Sequence, residues 1–141
     1  MERKLFSDRP LFKQCVESLN AAILSSKESD EMEEIFEKIF PITKWGKVDW
    51  SKIKKSVHIG FDPDNIVPSL QKLLGVNFDT TVYIMWSHVG PHVIKTDLES
   101  IVRNFDDVSC VSLEKFIFNP NFGYVVEIRT GDDMTVGVID Q

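Results

Sequence analysis

No run of about eighteen apolar residues interrupts this chain, so the sequence offers nothing that would span a bilayer as a helix. Its first residues, Met1 to Asp8, lack the apolar stretch and small-residue cleavage site of a secretory signal, which predicts a cytoplasmic location. Cysteine is scarce. Cys15 and Cys110 are the only two, far apart and each set in an apolar pattern, which predicts buried free thiols rather than a disulfide or a metal pair. The seven glycines are scattered, and none forms the GxGxxG or GxxxxGK pattern of a phosphate-binding loop.

Catalytic groupings are equally thin. Of the three histidines, His58, His88 and His92, the last two have the spacing of a helical zinc pair, but Gly90-Pro91 between them argues against a helix. Neither a metal nor a cofactor is expected. Asp106-Asp107 and Asp132-Asp133 are adjacent acids, suited to turns rather than to the opposed carboxyl groups of glycoside hydrolysis. A nucleophile needs a base, and a base needs an orienting group. Only a site assembled from distant residues such as His58, His88, His92 and Glu127 stays open, and the expectation is a protein that is not an enzyme.

Charge is the informative positive feature. Sixteen basic and twenty-two acidic residues give a net charge of −6, unevenly spread. Glu28, Asp30, Glu31, Glu33, Glu34 and Glu37 lie in a stretch without a base, and residues 97–141 hold nine acids against three bases. Residues 38–96 between them carry eight lysines and four aspartates. Such segregation predicts an acidic surface able to steer a basic partner.

The 141 residues, 43% hydrophobic and 27% charged, match one domain with one core, so a single α+β domain over 1–141 is expected. A first helix from about Ser7 or Asp8 would bury Leu11, Phe12, Cys15, Val16, Leu19, Ala22 and Ile23. After a break at Ser25-Ser26, a second would bury Met32, Ile35, Phe36, Ile39 and Phe40, turn its glutamates outward and stop at Pro41. Together they read as an acidic helical hairpin. Residues 42–55 fit no single period and read as an irregular connection. Val57, Ile59 and Phe61 alternate as in a half-buried strand, and Asp62-Pro63 leads into a third helix that Gly75 ends, with Pro68 marking its start.

Thr81 to Ser87 is β-prone and apolar on both sides, which predicts a central strand. Thr96-Asp-Leu-Glu99 matches a capping box for a fourth helix carrying Leu98, Ile101, Val102 and Phe105. Four strands follow, Val108 to Leu113, Phe116 to Phe118, Tyr124 to Arg129 and Thr135 to Ile139, with turns at Asn119 to Gly123 and Thr130 to Asp133. The expected architecture is a helical N-terminal part packed on a mainly antiparallel sheet with a C-terminal β-meander.

Two partner chemistries emerge. Lys44, Trp45, Lys47, Trp50, Lys52, Lys54 and Lys55 interleave bases with aromatics, as a small nucleic-acid-binding module would, although the short stretch in an acidic chain makes direct nucleic-acid binding the lesser reading. The other rests on a strand ending in tryptophan (Tyr83-Ile-Met-Trp86-Ser87), a helix, a Val/Ser-rich strand, and the closing hairpin Gly123-Tyr-Val-Val-Glu127-Ile with Thr135-Val-Gly-Val. In these features the region from Thr80 to Ile139 resembles the immunity proteins of bacterial contact-dependent growth inhibition and related polymorphic toxin systems. That resemblance implies a protein that binds the C-terminal domain of a toxin delivered by neighbouring cells and blocks it in the cytosol. The candidate contact residues are Glu28, Asp30, Glu31, Glu34 and Glu37 on the second helix, and Asp106, Asp107, Asp132 and Asp133 at the turns.

Overall fold

The computed structural model describes residues 2–86 and 90–139. Strands β1 (Ala22–Ile23), β2 (Lys55–Gly60), β3 (Thr81–Trp86), β4 (Ile94–Asp97), β5 (Lys115–Asn119), β6 (Tyr124–Arg129) and β7 (Asp133–Val138) form one seven-stranded sheet in the order β1-β4-β3-β5-β6-β7-β2. Every neighbouring pair is antiparallel. Helices α1 (Glu2–Ser7), α2 (Pro10–Leu19), α3 (Ser26–Ile39), α4 (Ile66–Leu74), α5 (Leu98–Arg103) and α6 (Phe105–Ser109) complete an α+β fold. Among the described residues, no helix is long and apolar enough to cross a membrane.

Successive side chains of a strand point to opposite faces, and here both faces are covered. Val82, Ile84, Trp86, Ile117, Val126, Ile128 and Val136 form a core on the first face with Phe12, Cys15 and Leu19 of α2, Ile66 and Leu70 of α4, Leu98 and Ile101 of α5, and Phe105 and Val108 of α6. Met85, Phe116, Phe118 and Val125 form a second core on the opposite face with Phe36 of α3, Phe40, Val48 and Ile53. Phe36 is its hub, with its ring centroid 5.1 Å from Phe116 and 4.9 Å from Phe118. β3 is therefore apolar on both sides, as its sequence predicts, and β5-β6-β7 form the expected meander. Ser87 and His88 lie outside the described residues.

The expected helical hairpin is not formed. α2 and α3 lie on opposite faces, because Asn20 ends α2 in a left-handed conformation (φ 49°) and Ala22-Ile23 then pairs with β4 at the sheet edge. The chain rounds that edge before α3 begins. Leu11 and Ile23, assigned to the buried stripe, are consequently about half exposed. α3 starts where Ser25 predicts, with a reciprocal cap. Ser25 Oγ accepts from Glu28 N–H and Glu28 Oε1 accepts from Ser25 N–H, both at 3.0 Å. The backbone hydrogen bond from Ser25, then its hydroxyl contact, lowers the Glu28 carboxyl from its ordinary value. Ile35 sits at the exposed margin of this helix.

Other boundaries move for local reasons. Asp97, not Thr96, caps α5 by accepting from Ser100 N–H at 2.9 Å. α4 begins at Ile66 rather than at Pro68, after a short turn at Pro63–Asn65, and Pro68 falls in the first turn, where a backbone N–H has no helical partner. β2 is an edge strand that ends at Gly60, so Val57 is 40% exposed and Phe61, expected within the strand, lies in the following turn and is 67% exposed. The predicted strand Val108 to Leu113 is replaced by α6 and a turn. Phe105 and Val108, three residues apart, both reach the first core, while Asp106 and Asp107 favour the helix start. Cys15 is buried, and burial, then nearby Asp107, pushes its thiol up to about 12. Cys110, expected to be buried, lies exposed just after α6.

Candidate partner-binding surfaces

The acidic residues separate into two regions with different surroundings. On α3, Ser29 and Phe36 are buried and Ser29 Oγ accepts from Val93 N–H at 3.0 Å, which fixes the rotation of the helix on the sheet. Glu28, Asp30, Glu31, Glu34 and Glu37 are consequently exposed. Asp30 and Glu33 receive the guanidinium of Arg3 at 3.1 and 2.6 Å, which ties α1 to α3. His92 strengthens the tie, with its ring nitrogens 2.5 Å from Ser7 Oγ and 3.0 Å from Ser26 Oγ. Burial, then the Arg3 charge, lowers the His92 pKa. Among the described residues, none forms an ion pair with Glu31, Glu34 or Glu37.

Glu33 and Glu37 border a cleft of about 280 Å³ between α3 and the sheet. Its apolar lining comes from Phe36, Ile42, Met85 and Phe116, and Gly46 lies on its rim. The adjoining turn is closely pinned. Ile42 bridges Val48, Thr43 N–H donates to Lys47 O at 2.7 Å, and Thr43 Oγ1 accepts from Trp45 N–H at 3.2 Å and Lys47 N–H at 3.3 Å. Lys47 Nζ adds an ion pair to Glu114 at 2.7 Å. At the tip stands Trp45, 71% exposed, with Lys44 Nζ 5.0 Å from its ring centroid.

The Lys/Trp segment is thus not one uniform basic surface. Trp50 packs so closely on Gly137 that a Cβ there would lie 2.5 Å from its ring, and its indole N–H donates to Glu127 at 2.9 Å. Half-buried and hydrogen-bonded, Trp50 is committed to the fold rather than presented for stacking. Lys47 and Lys52 face acidic partners, Glu114 and Asp49.

The second acidic region divides across the sheet. Asp106, Asp107 and Asp132 border one groove with the exposed Phe61. Asp107 accepts from Gln14 at 3.0 Å and Ser18 at 2.5 Å, which locks α6 to α2. Asp132 accepts from Ser109 at 2.7 Å and lies 3.9 Å from the ammonium of Lys115, whose side chain is fully buried. Lys115 also donates to Ser109 O at 3.2 Å and Ser112 O at 2.7 Å. Burial lowers its pKa, and the Asp132 charge opposes that.

Asp133, next in sequence, belongs to the opposite face. It accepts from Arg129 at 2.9 Å and contacts His58 at 2.5 Å. The Arg129 hydrogen bond, then that of His58, holds its carboxyl below the usual range. Arg129 continues to Glu127 at 3.0 Å, and the buried Glu127 accepts Val48 N–H at 2.8 Å as well as the Trp50 indole. The structure therefore joins His58 and Glu127 in one polar chain through Asp133 and Arg129, while His92 stands apart between α1 and α3. His88 lies outside the described residues. The sequence reading missed Arg129, Lys115, Arg3 and the apolar cleft beside α3. Only strand pairing and helix rotation bring them to their acidic neighbours.

With these surfaces defined, comparison with protein families assigns the chain. The family described as "CdiI immunity protein EcoliA0-like" matches residues 9–137. The chain belongs to this family of immunity proteins. No curated protein matches it. The family match spans the sheet, both acidic regions and α2 through α6, and leaves α1 outside. Membership of an immunity family implies toxin neutralisation as the role.

Proposed function

We propose that the chain neutralises a cognate toxin by forming a tight one-to-one complex with the toxin's C-terminal domain in the cytoplasm, as a binding protein and not as an enzyme. The observation that carries this reading is the family match over residues 9–137. The charge distribution supports it. A net charge of −6, with the glutamates of α3 turned to solvent, suits a partner with a basic, phosphate-attracting cleft such as a nuclease. Contact residues in this reading are Glu28, Asp30, Glu31, Glu34 and Glu37, with Asp106, Asp107, Asp132 and Asp133 as the alternative region.

Co-purification with the toxin domain encoded immediately upstream of this chain tests the proposal. The expected result is a stable equimolar complex in which the toxin's activity is lost. Separate elution with full toxin activity would overturn it.

A further inference from the structure

The turn over residues 42–48 poses a question that the fold does not answer. Its backbone is fixed by a bridge, a hydroxyl that caps two N–H groups and an ion pair to Glu114, yet the side chain at its tip, Trp45, makes little use of that rigidity. Trp45 is 71% exposed, whereas Trp50 and Trp86, the other two tryptophans, are half-buried and buried. A large aromatic held at the tip of a rigid turn loses little conformational freedom when another surface covers it, which is the chemistry of an interface anchor.

The next residue, Gly46, lies on the rim of the cleft beside α3, so the anchor and the cleft share one edge. The cleft is amphipathic in a particular sense. Its depth is apolar, with Phe36, Met85 and Phe116, and Glu33 and Glu37 stand on its α3 side. Arginine and lysine combine an aliphatic stem with a terminal cation, and such a side chain would lay its stem on the apolar residues and its charge against a carboxylate. Of the two carboxylates, Glu33 is already taken by the guanidinium of Arg3 at 2.6 Å. Glu37 forms no ion pair among the described residues.

We propose that Trp45 and the adjoining cleft, with Glu37 as its acceptor, form the docking surface for the toxin domain, Trp45 covering an apolar patch of the partner while an arginine or lysine of the toxin enters the cleft. This rests on the toxin-neutralising reading and specifies the surface that performs it. The Asp106 groove is the less suited of the two surfaces, because Asp107 and Asp132 there are engaged with Gln14, Ser18, Ser109 and Lys115.

The test uses the full chain and the purified toxin domain encoded beside it, with association and dissociation followed by surface plasmon resonance. Unfolding midpoints of each variant are taken in parallel to confirm the fold. Trp45→Ala is expected to weaken the complex by about thirtyfold or more, chiefly through faster dissociation. Glu37→Lys is expected to weaken it by about tenfold or more, chiefly through slower association. Asp106→Lys, in the other region, is expected to stay within about twofold. If the wild-type complex forms and both Trp45→Ala and Glu37→Lys bind as wild type does, the surface is wrong and the immunity reading stands. If the wild-type chain itself captures no toxin, both fail.

Discussion

The glutamates of α3 and the aspartates at the strand-rich end carry the same charge and do different work. Asp107, Asp132 and Asp133 are each held by partner side chains within the fold: Gln14 and Ser18, Ser109 and Lys115, and Arg129 and His58. Glu31, Glu34 and Glu37 project from a helix whose rotation is set by Ser29 and Phe36, and the fold asks nothing of their charge. Acidity on a surface is therefore poor evidence of a binding role until the carboxylates that cap, pair and anchor have been set aside. What remains on α3 is charge available to a partner.

Substitutions can separate the two classes by stability alone. The largest effect is expected at Glu127, a buried carboxylate that satisfies Val48 N–H, the Trp50 indole and Arg129. Glu127→Ala leaves Val48 N–H and the Trp50 indole without their acceptor and should cost about 3 kcal/mol in urea unfolding. Asp132→Asn removes the carboxylate facing buried Lys115 but keeps a side chain that tolerates the left-handed backbone there (φ 65°). Asp132 is partly exposed and 3.9 Å from the ammonium, so a smaller loss of about 1 kcal/mol is expected in the same assay.

Asp133 gives a pH signature. Its folded carboxyl is held below the unfolded value by Arg129 and then His58, so its stabilisation is present above the ordinary carboxylate range and is lost as pH falls through the folded value. Asp133→Asn should flatten the acid limb of a thermal-unfolding pH profile. The smallest stability effect is expected for Glu31→Gln, Glu34→Gln and Glu37→Gln combined, within about 0.5 kcal/mol of wild type by urea titration. A loss comparable to that of Glu127→Ala would dissolve the distinction between the regions.

Several parts of this arrangement were legible in the sequence. The break at Ser25-Ser26 marked the start of α3, and the two-sided apolar pattern of Thr81 to Ser87 placed β3 inside the sheet. Turn residues at Asn119 to Gly123 and Thr130 to Asp133 marked the meander. The exposed glutamates of α3 followed directly from helical periodicity. What could not be read is long-range: two neighbouring amphipathic helices look alike whether they pack on each other or on opposite faces of a sheet. The deciding element was β1, two residues long and exposed, with almost no pattern of its own. Likewise Asp132 and Asp133 read as one acidic turn, and only the strand alternation beginning at Asp133 sends them to opposite sides.

Lys115 and Glu127 lie on neighbouring strands and point to opposite faces: Lys115 stands across from Ile128 on the first face, and Glu127 stands across from Phe116 on the second. In a sheet with one wet side, a strand that slips by one residue betrays itself by turning its oily side chains to water. β5 and β6 are buried on both sides, and that signal is muted. The two charges restore it, because a one-residue shift would drive an ammonium beneath Phe36 or a carboxylate toward the core of α2 and α4. Each acts as the wards of a key do, indifferent to the tightness of the lock and decisive about which way the blade goes in.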